Sequence, residues 1–175
     1  IQSEAVVASY KTATLIPFAL NFIPGAVMTF AYPYFAQKHT DKKYVKKYFL
    51  KIQKYLFFLN LIISAILIIF APLIISIVFG EEYSDSVLPF RILSFGFLIA
   101  ATFRIPAGNV LASIKKIKVN FYNTLISGTL NIILDIFFIK QFGSVGAAIA
   151  TVLVFVISSV IGNIYLYNHF RGINS

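Results

Sequence analysis

The sequence contains no cysteine, and only 12% of its 175 residues are charged, about half the usual share in soluble domains. The lack of cysteine excludes disulfide bonds, thiolate metal ligands and cysteine nucleophiles. Acidic residues are the scarcest, with six Asp and Glu against fifteen Lys and Arg. Membrane enzymes need clustered acids, histidines or metal ligands, and here the acids lie singly or in one short turn. We therefore expect no enzyme activity and no cofactor.

Hydrophobic residues, by contrast, make up 59% of the chain and fall in several long runs. A soluble helix keeps a polar face, whereas these runs stay apolar over the roughly 20 residues that span a bilayer core. The sequence therefore predicts an integral membrane protein embedded in a lipid bilayer. The net charge of +9 does not indicate nucleic acid binding, because the basic residues stand at the ends of apolar runs.

The clearest apolar run is 55–79, which holds no charged residue and separates the lysines of 38–54 from an acidic turn at 80–85. With four further runs it predicts an all-α fold, a polytopic transmembrane helix bundle with about five spanning helices. The predicted spans are 5–37, 54–79, 86–114, 119–140 and 145–170. Pro17, Pro24 and Pro33 interrupt the first span, which we expect to be kinked or broken.

The distribution of basic residues predicts the topology. Eleven of the fifteen Lys and Arg residues lie in 38–54, in 115–118 or at Arg171. These segments fall on the side of the membrane opposite the acidic turn at 80–85, and basic residues collect on the cytoplasmic side. The N-terminus of the chain is therefore expected outside and the C-terminus in the cytoplasm. The lysines of 38–54 also recur at helical spacing, which is typical of an amphipathic segment held by anionic lipid headgroups. The topological signal alone accounts for them equally well.

Arg104 is the first candidate functional residue, because it lies well inside the third span. It is about 16 Å of helix away from the basic cluster that starts at Lys115, too far to reach the interface easily. An intramembrane arginine normally faces a bundle interior or a water-filled cavity. The alternative is an ion pair between helices, for which Asp135 is the obvious partner. An offset of about 9 Å along the bilayer normal speaks against a tight pair.

The fourth span carries a polar stripe. Asn123, Asn131 and Asp135 are separated by near-integral numbers of helical turns and so share one face. Such a stripe on an apolar helix is typical of a cavity wall, and equally of polar contacts that hold two helices together. Asn109 in the third span is a further candidate for the cavity.

Several short motifs, in this order, resemble those of polysaccharide flippases in the multidrug/oligosaccharidyl-lipid/polysaccharide exporter superfamily. The motifs are the proline-bearing stretch from Tyr10 to Pro33, Phe70-Ala71-Pro72, Phe79-Gly80 with Tyr83, Leu88 with Arg91-Ile92-Leu93, and the glycine- and alanine-rich stretch 142–151. Proteins of this family have two bundles of six helices. The resemblance implies that the chain is the C-terminal bundle of such a transporter in the plasma membrane (the bacterial inner membrane), with the N-terminal bundle missing as its partner. The lack of a starting methionine agrees with that expectation.

The resemblance implies a function. The protein is expected to flip a polyprenyl-diphosphate-linked oligosaccharide across the membrane by alternating access, for export of cell-surface polysaccharide. Arg104 would then bind the diphosphate, and Asn109, Asn123 and Asn131 would contact sugar hydroxyls or water. Asp135 is a candidate for titration or for binding a coupling cation.

Two alternatives stay open at this point. The first is a multidrug or cation exporter of the same superfamily, which would favour an acidic cavity. The second, from a different class, is a membrane glycan polymerase or glycosyltransferase, which the scarcity of clustered acids and histidines speaks against.

Overall fold

The computed structural model describes residues 4–171, which are almost entirely helical and include no β-strand. Seven helices follow one another along the chain. They are α1 (Glu4–Ala19), α2 (Phe22–Gln37), α3 (Lys42–Ile69), α4 (Ala71–Phe79), α5 (Val87–Ile99), α6 (Ile105–Ser113) and α7 (Ile117–Arg171). A 3-10 turn, Glu81–Ser86, precedes α5, and a π-helical turn, Ala100–Arg104, joins α5 to α6.

The first span is broken once, between α1 and α2. Pro24 has no backbone N–H, so the carbonyl of Leu20 cannot receive the usual helical bond from residue 24. That carbonyl instead accepts the N–H of Ile23 at 3.0 Å, which tightens the chain into a turn. Pro17 and Pro33 lie inside α1 and α2 without ending either helix. Of the three expected interruptions, only the one at Pro24 coincides with a break.

α3 joins the lysine-rich segment and the clearest apolar run into one helix of 28 residues. Its N-terminus is capped by the carboxylate of Asp41, which accepts the N–H of Tyr44 at 2.9 Å. A helix of this length is about 42 Å long, so its lysine-bearing end extends beyond a hydrocarbon core of about 30 Å. α4 continues the same span after Phe70, with Pro72 in its first turn.

α7 contains two spans rather than one, because the helical run reverses direction at Gly143. This residue has φ 56° and ψ −129°, a conformation that glycine adopts without strain. The two arms then pack antiparallel, and the Nδ2 of Asn123 donates to the carbonyl of Ser158 at 3.0 Å across them. The reversal lies where the sequence predicted a short outer turn between the fourth and fifth spans.

Two apolar clusters hold the bundle together. The cluster at the lysine-rich end includes Met28, Phe35, Phe49, Val110, Leu111 and Leu166. The cluster at the opposite end includes Ala13, Leu67, Ile75, Phe90, Leu93 and Ala148. Large apolar side chains also cover the outer faces, as expected of helices that face lipid. Four helical runs of the described chain are long and apolar enough to cross a membrane, and one of them is the α7 hairpin. The predicted all-α transmembrane bundle is confirmed.

The close packing of the α7 hairpin gives a testable prediction. A Cβ added at Gly146 would collide with the backbone carbonyl of Phe138 on the opposite arm. We expect Gly146→Ala to lower the free energy of unfolding by about 1–3 kcal/mol, the usual cost of overpacking. Thermal unfolding of the purified protein in detergent measures this loss. Gly128→Ala is the matched control, because its Cβ would meet nothing within 4 Å. Equal stability of the two variants would contradict the tight hairpin.

Candidate functional site

Arg104 ends the π-helical turn in the middle of the third span. Pro106, two residues later, has no N–H to donate to a helical hydrogen bond. The helix widens at this point into a π turn, in which the N–H of Ile105 donates to the carbonyl of Ala100. Such π turns inside α-helices are often found at functional sites. The half-buried Arg104 side chain donates from Nε to the Oγ of Ser158 at 3.3 Å, and its guanidinium lies 5.2 Å from the ring centre of Phe155.

Two cavities meet at Arg104. The first, of about 310 Å³, lies towards α1, and the second, of about 290 Å³, lies towards α6. Arg104 and Thr124 line both of them. The other polar residues of the first cavity are Tyr10, Ser127, Asn131 and Thr151. Those of the second cavity are Asn109, Asn120, Asn123 and Ser158. Together they form a polar cleft in an otherwise apolar bundle.

Hydrogen bonds within and between helices fix the walls of this polar cleft. The hydroxyl of Tyr10 in α1 pairs with the Oγ1 of Thr151 in α7 at 2.8 Å. Asn120 donates from Nδ2 to the carbonyl of Gly108 at 2.7 Å, which ties the first arm of α7 to α6. The Oγ of Ser127 donates to the Oδ1 of Asn123 at 3.4 Å. Most of these groups are thus held in place by protein partners, and the cleft is preformed.

Most of the hydrogen-bonding capacity of Arg104 is not used by the protein. A guanidinium has five N–H donors, and among residues 4–171 its only hydrogen-bond acceptor is Ser158. The four terminal N–H groups therefore have no protein acceptor in the described part of the chain, and the side chain that carries them lines both cavities. A cation placed in this way is ready to bind an anion or water.

The structure brings together four of the five predicted site residues. Arg104 and Asn131 line the first cavity, and Arg104, Asn109 and Asn123 line the second. The amide of Asn109 also donates back to the carbonyl of Ile105 at 2.9 Å. Asp135 does not line either cavity.

Asp135 lies one turn beyond Asn131 and is partly exposed. Within the described range, 4–171, no ion pair joins it to Arg104. The two charges are therefore not paired in the described residues.

Sequence reasoning missed six polar residues of the cleft. They are Tyr10, Asn120, Thr124, Ser127, Thr151 and Ser158. Three of these had a signal in the sequence, because Asn120, Thr124 and Ser127 extend the stripe of Asn123 and Asn131 at spacings of three and four. The other three lie on α1 and on the second arm of α7, and they reach the cleft only through the packing of the bundle.

A second polar network supports the π-helical turn from its far side. Asn163 donates from Nδ2 to the carbonyl of Phe103 at 3.1 Å and to that of Ser159 at 2.8 Å. Its Oδ1 accepts a hydrogen bond from the Nε2 of Gln53 at 2.7 Å. Three spans are thereby linked at the residue that precedes Arg104. We conclude that Asn163 positions the turn that carries the arginine.

Comparison with known proteins identifies the family. Residues 1–88 match the family described as "Polysaccharide biosynthesis protein". The chain belongs to this family. The resemblance seen in the sequence is thus confirmed, and the chain is a multi-pass membrane protein.

Two curated relatives are similar to the chain. Over 100 residues it is 34% identical to the probable low-salt glycan biosynthesis flippase Agl15 of Haloferax volcanii, covering 57% of this chain and 21% of that protein. Over 115 residues it is 30% identical to the uncharacterized membrane protein MJ1068 of Methanocaldococcus jannaschii, covering 64% of this chain and 22% of that protein. The chain thus matches about a fifth of the length of either relative. No solved structure matches it.

Cysteine labelling tests whether the cleft holds water, since the chain has no cysteine of its own. Asn131→Cys places a thiol in the first cavity, whereas Ile133→Cys places one on the apolar outer face of the same helix at the same depth. Only the thiolate reacts, and it forms in a wet, electropositive site but not in hydrocarbon. We expect a charged methanethiosulfonate reagent, added to both sides of the membrane, to modify the Asn131→Cys variant about tenfold faster or more than the Ile133→Cys variant. Equal rates would show that the cleft is dry.

Proposed function

We propose that the chain forms part of a flippase that moves a polyprenyl-diphosphate-linked oligosaccharide across the plasma membrane for export of surface polysaccharide. The observation that carries this proposal is Arg104, a cation that lines two polar cavities and whose terminal N–H groups have no protein acceptor among the described residues. The family supports it, and so does the likeness to a relative that is named a probable glycan biosynthesis flippase.

The chemistry of the cleft fits the two parts of such a substrate. A guanidinium forms paired, charge-assisted hydrogen bonds with phosphate oxygens, so Arg104 would bind the diphosphate. Sugar hydroxyls both donate and accept hydrogen bonds, and the neighbouring amides of Asn109, Asn123 and Asn131 offer both kinds of group. A cleft with one cation and several neutral amides favours a substrate in which an anionic group is attached to an uncharged glycan.

Transport would proceed by alternating access, without a chemical step. In this mechanism a helical bundle rocks against a second bundle around a site near the middle of the membrane. The present chain would supply the C-terminal bundle, with its N-terminus outside and its C-terminus in the cytoplasm. Asp135 lies outside the cleft, one turn from it, and is our candidate for binding a coupling cation.

The exporter alternative is less well supported by the cleft. A cationic drug would be stabilised by carboxylates, yet neither cavity at Arg104 is lined by an Asp or Glu among the described residues. A positively charged side chain at the junction of the two cavities would repel such a substrate. The charge of the cleft therefore favours an anionic one.

Replacement of Arg104 tests the proposal. The full protein is expressed in cells that lack their own polysaccharide flippase, and surface glycan is measured at equal protein levels. We expect Arg104→Ala to lower glycan export by about tenfold or more, since a hydrogen bond to a charged group contributes about 1.5–3 kcal/mol. Arg104→Lys, which keeps the charge but loses the paired geometry, is expected to retain an intermediate rate.

Lys140→Ala is the control for loss of a positive charge, because Lys140 lines neither cavity. Normal export by Arg104→Ala would contradict the phosphate-binding role. Drug efflux by the wild-type protein, without any restored glycan, would instead favour the exporter.

A further inference from the structure

A further cavity of the protein lies away from Arg104, between α2 and α3 at the lysine-rich end of the bundle. This groove, of about 350 Å³, is lined by Val27, Phe30, Ala31, Tyr34, Phe35, Tyr44, Tyr48 and Ile52. It shares no residue with the two cavities at Arg104. The groove therefore needs an explanation of its own.

The walls of the groove are aromatic and exposed. On α2 the rings of Phe30 and Tyr34 lie 5.5 Å apart, and their side chains are 73% and 50% exposed. On α3 the rings of Tyr44 and Tyr48 lie 4.4 Å apart. Tyrosine is enriched where a bilayer meets water, because its ring is apolar and its hydroxyl is polar. The groove thus has the composition of a surface that faces lipid near the headgroups.

A row of lysines follows one edge of the groove. Lys43, Lys47 and Lys51 are exposed and each comes directly before a groove residue of α3, so the lysine row lies about 100° around the helix from the groove wall. The ammonium group of Lys47 is 5.9 Å from the ring centre of Tyr48. Between residues 38 and 54 there are seven lysines and one acid, Asp41. That carboxylate caps α3, so little negative charge is available to neutralise the row.

We propose that this groove binds a phospholipid with an anionic headgroup. An acyl chain would lie along the aromatic walls, and the headgroup phosphate would pair with the lysine row. Charge complementarity favours this occupant over an apolar protein segment, which would leave the lysines unpaired. It also favours an anionic over a zwitterionic lipid, whose own positive group would approach the same lysines. With the predicted topology, the lipid would come from the cytoplasmic leaflet, where anionic lipids attract basic segments.

The test uses tryptophan quenching, since the chain has no tryptophan. Phe30→Trp places a probe in the groove, with Tyr34→Trp as a second probe should the first fail to fold. Phe58→Trp, also exposed but outside the groove, is the control probe. Each protein is reconstituted in vesicles of phosphatidylcholine and phosphatidylglycerol in which either one lipid or the other is dibrominated. Quenching then reports which lipid contacts the tryptophan.

We expect brominated phosphatidylglycerol to associate with the groove probe about fivefold more strongly than brominated phosphatidylcholine, and with the control probe equally. Lys47→Gln with Lys51→Gln should remove this preference. Lys115→Gln with Lys118→Gln should keep it, because those two lysines lie outside the groove.

Three results would overturn the proposal. Equal quenching of the groove probe by both lipids would show a surface without selectivity. Absence of quenching by either lipid would show that protein covers the groove. Stronger displacement by polyprenyl diphosphate than by unlabelled phosphatidylglycerol would assign the groove to a lipid-linked substrate. The first two results do not bear on Arg104, so the lipid proposal can fail while the proposed transport function stands.

Discussion

In a hydrocarbon core each backbone N–H and C=O must find its partner within the protein, and the proline breaks in this bundle satisfy that constraint. Pro24 cannot donate a hydrogen bond to the carbonyl of Leu20, which accepts one from the N–H of Ile23 instead. Pro72 leaves the carbonyl of Ile68 free, and the Nε of Arg91 from α5 donates to it at 3.1 Å. Each of these prolines thus interrupts the helical hydrogen bonds at a point where a nearby group replaces the missing N–H donor.

The same constraint explains why the candidate site lies where it does. The π-helical turn before Pro106 loosens the third span in the middle of the bundle, and Asn163 supplies a donor to the carbonyl of Phe103. Polar side chains that bond the backbone groups of this turn also offer hydrogen-bond partners to other polar side chains. The free-energy cost of burying a further polar side chain nearby is therefore lower. Asn120 and Asn123 show this double role, because each bonds a carbonyl of a neighbouring helix and also lines a cavity. The polar stripe of the fourth span therefore both lines a cavity and holds helices together, so the two alternatives that the sequence left open are compatible.

Much of the fold could be predicted from the sequence, because the length and flanking charges of apolar runs are local properties. The reversal at Gly143 lies in a turn that the sequence predicted, and Arg104 was found because a lone charge in an apolar run is conspicuous.

The π-helical turn was not predicted. Pro106 indicates that the helical hydrogen bonds are interrupted, but not which backbone conformation the helix adopts there. Tyr10, Thr151 and Ser158 could not be assigned either, because their neighbours come from residues more than 50 positions away. Asp135 was placed on the correct stripe, but the cleft ends one turn before it.

Magnitudes help to separate a functional role of Arg104 from a structural one. An arginine at the centre of a membrane helix costs about 2.5–3.5 kcal/mol on insertion scales. The hydrogen bond to Ser158 is long, at 3.3 Å, so it contributes about 1.5 kcal/mol, the lower limit for a bond to a charged group. The contact with Phe155 contributes about 0.5–1 kcal/mol. These two contacts offset only part of the cost, and an apolar residue at this position would avoid it altogether. The remainder is best offset by what enters the cavities, either water or an anion. Arg104 donates one of its five N–H groups to the protein, and the other four are available to whatever enters the two cavities that its side chain lines.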